Sequence, residues 1–243
     1  MQRSLFPVQL ANEEPANLGT ADLKYIGHDN QGRRYALKTL DDHPLLPLTE
    51  WLCYQLCAAA ALPTPPFDVV KRLDGTLAFG SRWLDEIVQF NPGKMSNIEF
   101  YNLIGEAKLS ISAAYTLDAF LPNQDRHWGN FLFERVGTRV NALLFDWSKT
   151  FILDDRTPFQ PWAWPINCLS DRCLKQFKEM GRFDLPAANR TLNRINSIPP
   201  SAIGQIVAAA PEEWRTNVDE QHIMQWWSDH AGQRCLDTAA LLR

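Results

Sequence analysis

The run Asn123-Gln124-Asp125-Arg126-His127-Trp128-Gly129-Asn130, followed sixteen residues later by Asp146 in Leu143-Leu144-Phe145-Asp146-Trp147-Ser148, constrains this chain more than any other feature. Between its ends lie apolar Phe131-Leu132-Phe133, a Gly137-Thr138 turn and apolar Ala142-Leu143-Leu144-Phe145. Two apolar segments with polar ends, joined across a glycine-containing turn, read as a β-hairpin. A hairpin brings its ends together, so Asn130 and Asp146 are expected side by side, with Asp125 in the polar loop that opens it. Asp-Arg-His alone would read as a turn capped by its aspartate; the spacing of the whole run is what carries weight. Mg²⁺ takes hard oxygen ligands, one or two of them from protein. An amide oxygen and a carboxylate for the ion, with a second carboxylate beside an attacking hydroxyl, form the inventory that phosphoryl transfer from ATP needs.

Such a site also needs a cation, and the N-terminal part offers Lys38. Leu23 to Gly27 and Arg33 to Leu40 flank the loop His28-Asp29-Asn30-Gln31-Gly32 and read as a second hairpin. Strand alternation puts Tyr35, Leu37 and Thr39 on one face, and Arg34, Ala36, Lys38 and Leu40 on the other. Lys38 then shares an apolar face, an unusual setting for a solvated lysine. Glu50 to Leu62, with Thr49 as N-cap and Pro63 as terminator, reads as a helix whose Leu52, Leu56, Ala59 and Ala60 pack on the sheet. Glu50 in its first turn can point at Lys38 and hold it in place.

Four segments together resemble the HipA-like kinases, a bacterial toxin-related branch of the protein kinase and phosphatidylinositol-kinase superfamily. They are Tyr35-Ala36-Leu37-Lys38, Thr49 to Pro66, Leu77 to Leu84, and Asn123 to Asn130 with Asp146. The order Asp-Arg-His-x-x-Asn is similar to that family's catalytic loop and to that of lipid kinases. The resemblance implies an α+β, bilobal protein-kinase-like fold with ATP and Mg²⁺ in the cleft. The small β-rich lobe with one helix would be residues 1–84, the hinge 85–96, and the larger, mainly helical lobe 97–243. Lys38 would hold the α- and β-phosphates, Glu50 orient Lys38, Asn130 and Asp146 bind Mg²⁺, and Asp125 position the acceptor hydroxyl. Phe79, Trp83 and Leu84 are the apolar candidates beside adenine. The acceptor implied is a serine or threonine of a protein; a small-molecule or lipid-headgroup kinase and an ATP-binding pseudokinase are the alternatives. A growth-arresting toxin with an antitoxin partner is the biological role implied.

The chain departs from the wider kinase pattern in two places. No Gly-x-Gly-x-x-Gly covers the phosphates, only Gly19, Gly27 and Gly32, and Asp146-Trp147-Ser148 stands where others have Asp-Phe-Gly. At 243 residues the chain is also expected to lack the extra N-terminal subdomain of full-length HipA-type toxins. Residues 147 to 165, rich in proline and tryptophan, correspond to the activation segment. Helices are expected over 100–109, 112–121, 169–180, 186–195, 201–210 and 219–242, with Trp214, Trp226 and Trp227 as core anchors. A net charge of −4 without a basic stripe gives no reason to expect direct nucleic-acid binding. No run approaches a membrane span. Five cysteines without a Cys-x-x-Cys suit reduced thiols in the cytoplasm, with Cys53 and Cys57 as buried small hydrophobes.

Overall fold

The alternation along Arg34–Lys38 organises the N-terminal half. The computed structural model describes residues 6–16, 23–85, 87–89, 95–150, 153 and 164–243. Within it β1 (Val8–Pro15), β2 (Tyr25–Asp29), β3 (Arg34–Lys38), β4 (Phe67–Lys71) and β5 (Leu77–Arg82) close into a barrel in the order β1-β2-β3-β5-β4. Neighbours are antiparallel except β1 and β4, which close the ring in parallel with Val8 beside Val70. Tyr35 and Leu37 are fully buried inside with Leu10, Val70 and Ala78. Lys38, next along the strand, therefore faces outward. Its cross-strand partner Phe79 marks the same face.

That outer face is covered by α1 (Leu46–Ala59). The helix begins before the expected Thr49: Leu45 is the N-cap and makes no side-chain cap bond. Pro47 explains the difference, because its fixed φ suits a first helical turn and its missing N–H is no loss there. Thr49 is instead inside the helix, its N–H donating to Leu45 O at 2.9 Å. Glu50 moves deeper with it and is 1% exposed. At the far end Ala61 takes a left-handed φ of 54° and Leu62 N–H returns to Cys57 O, so the helix stops short of Pro63.

The rest is mainly helical: α2 (Asn97–Glu106), α3 (Lys108–Phe120), α4 (Leu169–Glu179), α5 (Leu185–Asn196), α6 (Pro200–Ala208), α7 (Glu212–Arg215) and α8 (Glu220–Leu242). A small antiparallel sheet, β6 (Val88–Gln89), β7 (Phe131–Val136) and β8 (Arg139–Leu144), stands in the order β6-β7-β8. The architecture is thus mixed α+β. The break between α2 and α3 falls at Ala107, earlier than the expected gap after Leu109. One apolar core joins α1, the outer face of the barrel, the small sheet and the helices. Tryptophans staple it: Trp51 Nε1 donates to Ile206 O at 2.8 Å, Trp214 Nε1 to Leu77 O at 3.3 Å, and Trp227 Nε1 to Ile198 O at 2.9 Å. Each buried indole thereby satisfies its one polar atom. Gly19 and residues 151–152 and 154–163 of the expected activation segment lie outside the described residues, as do 86 and 90–94 of the expected hinge.

Close packing inside the barrel yields a paired test. A Cβ on Gly80 would lie 2.4 Å from Val70 Cγ2 and 3.1 Å from Tyr35 Cδ1, whereas one on Gly232 in α8 meets only Asn196 Oδ1 at 3.6 Å. Gly80→Ala should cost about 1–3 kcal/mol through overpacking, and Gly232→Ala should stabilise by about 1 kcal/mol through helix propensity. Chemical denaturation of the two variants checks both signs.

Candidate active site

The hairpin β7–β8 places the motif residues as its sequence suggested. Phe131 pairs with Leu144, so Asn130 and Phe145 stand just beyond the last rung and Asp146 one residue further. Trp128–Asn130 form a single 3-10 turn leading into β7, and His127 Nδ1 accepts the Gly129 N–H at 3.0 Å. The imidazole thus braces the loop. Asn130 is 6% exposed, and its Nδ2 donates to Asp125 O at 3.0 Å. That bond assigns the amide's orientation and leaves Oδ1 as its acceptor. Asp125 is half-buried on the same loop.

Lys38 reaches this hairpin from the barrel. It is 7% exposed, and Nζ donates to Asp146 Oδ1 at 3.2 Å, a contact across 108 residues of chain. Asp146 has a left-handed φ of 64°, and Oδ1 also accepts the Ser148 N–H at 3.3 Å. Burial works against its ionised form, but the Lys38 charge and the bonds from Ser148 and Lys38 outweigh it and hold the carboxyl below its ordinary value. Glu50 was expected to hold Lys38. Its Oε1 accepts the Trp147 backbone N–H at 2.8 Å, and the Lys38 charge acts on the same carboxylate. Burial pushes this carboxyl up to about 7, with Asp146 adding to the rise and the nearby Lys38 charge opposing it. Glu50 therefore couples α1 to the segment that carries Asp146.

Two residues that sequence reasoning passed over organise the loop. Arg126 and Asp118 are both 0% exposed; Arg126 Nε donates to Asp118 Oδ2 at 2.7 Å and Nη2 to Asp118 Oδ1 at 3.2 Å. Asn123 Nδ2 also donates to Asp118 Oδ1 at 2.8 Å, and Trp164 Nε1 to Asp118 O at 3.1 Å. From α4, Ser170 Oγ accepts the Arg126 N–H at 2.8 Å and donates to Asn123 O at 2.6 Å. A lone aspartate in the otherwise uncharged stretch Ile111 to Phe120 was the available signal. Of the residues expected near adenine, Phe79 is corrected to a core role. Its ring is 1% exposed, 4.9 Å from Tyr54 and 5.7 Å from Phe67, with no surface left for a base. Trp83 continues the ladder beyond β5, its N–H donating to Arg34 O at 2.8 Å, and the Arg34 guanidinium lies 5.5 Å from its ring centre. Leu84 is half-buried beside it.

The donors suit Mg²⁺. No group of three or more His, Cys, Asp or Glu capable of holding a metal occurs among the described residues. Asn130 and Asp146 could offer two hard oxygens, the number expected when phosphate and water complete the shell.

Glu50 makes a pH test. A native carboxyl raised from 4.5 to about 7 retains a proton that the unfolded chain has released, so stability should fall as pH rises through that window, by at most about 3 kcal/mol. Asp146, shifted down from 3.8, loses its contribution only in stronger acid and does not overlap. Glu50→Gln keeps an acceptor for Trp147 without titrating. Denaturation at pH 5 and pH 8 should show the wild type losing stability relative to this variant at the higher pH.

Residues 19–237 match the model of the HipA-like kinases. Among curated proteins there is no match. Among solved structures the chain is similar to HipA of Shewanella oneidensis MR-1, solved as a toxin–antitoxin system with HipB and operator DNA. The identity is 13% and the TM-score 0.52, over 99% of this chain and 66% of that one. It is also similar to the proinflammatory kinase CtkA of Helicobacter pylori, at 14% identity and a TM-score of 0.44 over 88% of this chain and 94% of that one. For the N-terminal 618-residue fragment of LepB from Legionella pneumophila the values are 14% and 0.49, over 89% and 45%. Since the family match spans most of its length, the chain belongs to the HipA-like kinase family.

Proposed function

We propose that this protein transfers the γ-phosphoryl group of ATP to a serine or threonine hydroxyl of a protein. The observation that carries the reading is the arrangement around Asp146. Lys38 meets its carboxylate, Arg126 holds the carbonyl before it at 2.5 Å, and Glu50 holds the N–H after it at 2.8 Å. A chain that fixes one aspartate on three sides, beside a buried lysine, is built to keep charge in place. In this reading the barrel with α1 is one lobe (1–84), the segment 85–96 is the hinge, and the remaining residues (97–243) form the second lobe.

Bound ATP with Mg²⁺ supplies the phosphoryl group and part of the charge compensation. Lys38 offers its ammonium to phosphate oxygens, with the buried Glu50 carboxylate near enough to oppose its charge. Asn130 Oδ1 and the Asp146 carboxylate are the donors for the ion, and ionisation of Asp146 is already favoured by its neighbours. Asp125 orients the acceptor hydroxyl and takes its proton. Trp83 and Leu84, at the exit from β5, flank the base. Most of the acceleration then comes from positioning and fixed charge rather than from covalent chemistry by the protein.

Membership of the HipA-like family supports a cytoplasmic protein kinase with an antitoxin partner, HipA itself having been solved with HipB. No helix among the described residues is long and apolar enough to cross a membrane.

Autophosphorylation with radiolabelled ATP tests the reaction. Asp125→Asn should keep Mg²⁺-dependent ATP binding and lose phosphotransfer by about 10²–10⁴-fold, the range expected for losing a positioned base. Asp146→Ala should weaken Mg²⁺-dependent binding as well. Wild-type protein without Mg²⁺-dependent ATP affinity would refute the kinase reading. Induction in a bacterial host addresses the toxin role: growth arrest is expected with the wild type and normal growth with Asp125→Asn.

A further inference from the structure

The hairpin ladder ends at Phe131 and Leu144, one and two residues short of the candidate metal ligands. Beyond that rung the strands no longer hold each other, yet a bound ion would need Asn130 and Asp146 at a fixed separation. A single nitrogen bridges the gap. Arg126 Nη1 donates to Asn130 O at 2.8 Å and to Phe145 O at 2.5 Å, so the two carbonyls cannot part without breaking one of these bonds. The rest of the guanidinium is immobilised. Nε and Nη2 fork onto Asp118, the plane lies 5.1 Å from the Trp147 ring centre and 5.5 Å from that of Phe131, and the backbone N–H is held by Ser170. Arg126 is fully buried and so does not itself meet solvent or an acceptor.

We infer that Arg126 is a positioning residue that sets the spacing of the Mg²⁺ ligands Asn130 and Asp146, acting through the backbone carbonyls beside them. The inference rests on the kinase reading and adds to it a third participant that touches neither metal nor nucleotide. Lysine cannot replace it. One ammonium on a flexible stem lacks the planar fork that grips Asp118 while also bridging two carbonyls.

The experiment is calorimetric titration of ATP at rising Mg²⁺ concentrations, with wild type, Arg126→Lys and the stability control Ile223→Ala in α8. Arg126→Lys should bind ATP without metal as the wild type does, and should need about tenfold or more Mg²⁺ for the same gain in affinity, as partners that orient metal ligands typically show. Ile223→Ala should lose thermal stability and keep the wild-type Mg²⁺ response, which separates positioning from mere destabilisation. If Arg126→Lys does not fold, Asp118→Asn carries the test. It keeps the guanidinium, loosens its grip, and should show the same rightward shift in Mg²⁺. A wild-type response to Mg²⁺ with an unshifted variant overturns this inference and leaves the kinase reading standing. Absence of any Mg²⁺ response in the wild type overturns both.

Discussion

The buried ion pair between Arg126 and Asp118 is the contact on which the candidate site depends. Both side chains are fully enclosed, so each has left water at a penalty of several kcal/mol. Geometry offsets that penalty: the fork onto the carboxylate is complete, Asn123 donates to the same carboxylate, and the remaining guanidinium nitrogen serves two carbonyls. Every polar group brought inside also ties down a different piece of chain. Asp118 belongs to α3, Arg126 to the loop, Asn130 and Phe145 to the ends of the β7–β8 hairpin, and Ser170 to α4. An apolar replacement of the pair could pack as well, but it could not hold carbonyls at a set distance. The arrangement favours a defined geometry over maximal stability.

The aspartate of the site is joined to α1 by equally direct means. Trp147, fully buried, meets Tyr54 of α1 edge-on at 5.1 Å, and its N–H is held by Glu50 of the same helix. With tryptophan and serine after the aspartate, there is no glycine to relax the backbone at the next two positions. Any displacement of Asp146 would have to pull an indole out of packed surroundings and leave a cavity behind. Position of α1 and position of the carboxylate are therefore one variable.

Much of this was legible in the sequence where the signal was local. The β7–β8 hairpin, the outward parity of Lys38 and most C-terminal helices follow from apolar spacing and turn residues. Features set by distant partners were not legible. Closure of the barrel rests on a parallel contact between Val8 and Val70, and no short window records it. The start of α1 depended on weighing Pro47 as a helix opener against Thr49 as a cap. Phe79 looked like a base contact because its strand leads to the expected hinge; only the packing of α1 shows that its face is covered. Asp125, Asn130 and Asp146 stood out by residue type, whereas Arg126 lay inside the same motif and was passed over, because a charged residue in a polar loop carries no mark of pointing inward.

Barrel closure also governs how this protein can be approached. A sheet that joins its first strand to its last leaves no row of unpaired backbone groups along a side. In the small sheet the β8 side is likewise covered, since Ala142 N–H donates to Ser110 Oγ at 2.8 Å and Leu144 N–H to Pro63 O at 2.9 Å. Among the described residues, strand addition, which recognises main chain almost regardless of sequence, finds the barrel seam and the β8 side already occupied. Whatever docks there must read side chains, so the choice of visitor is written in residues that substitution can alter one at a time.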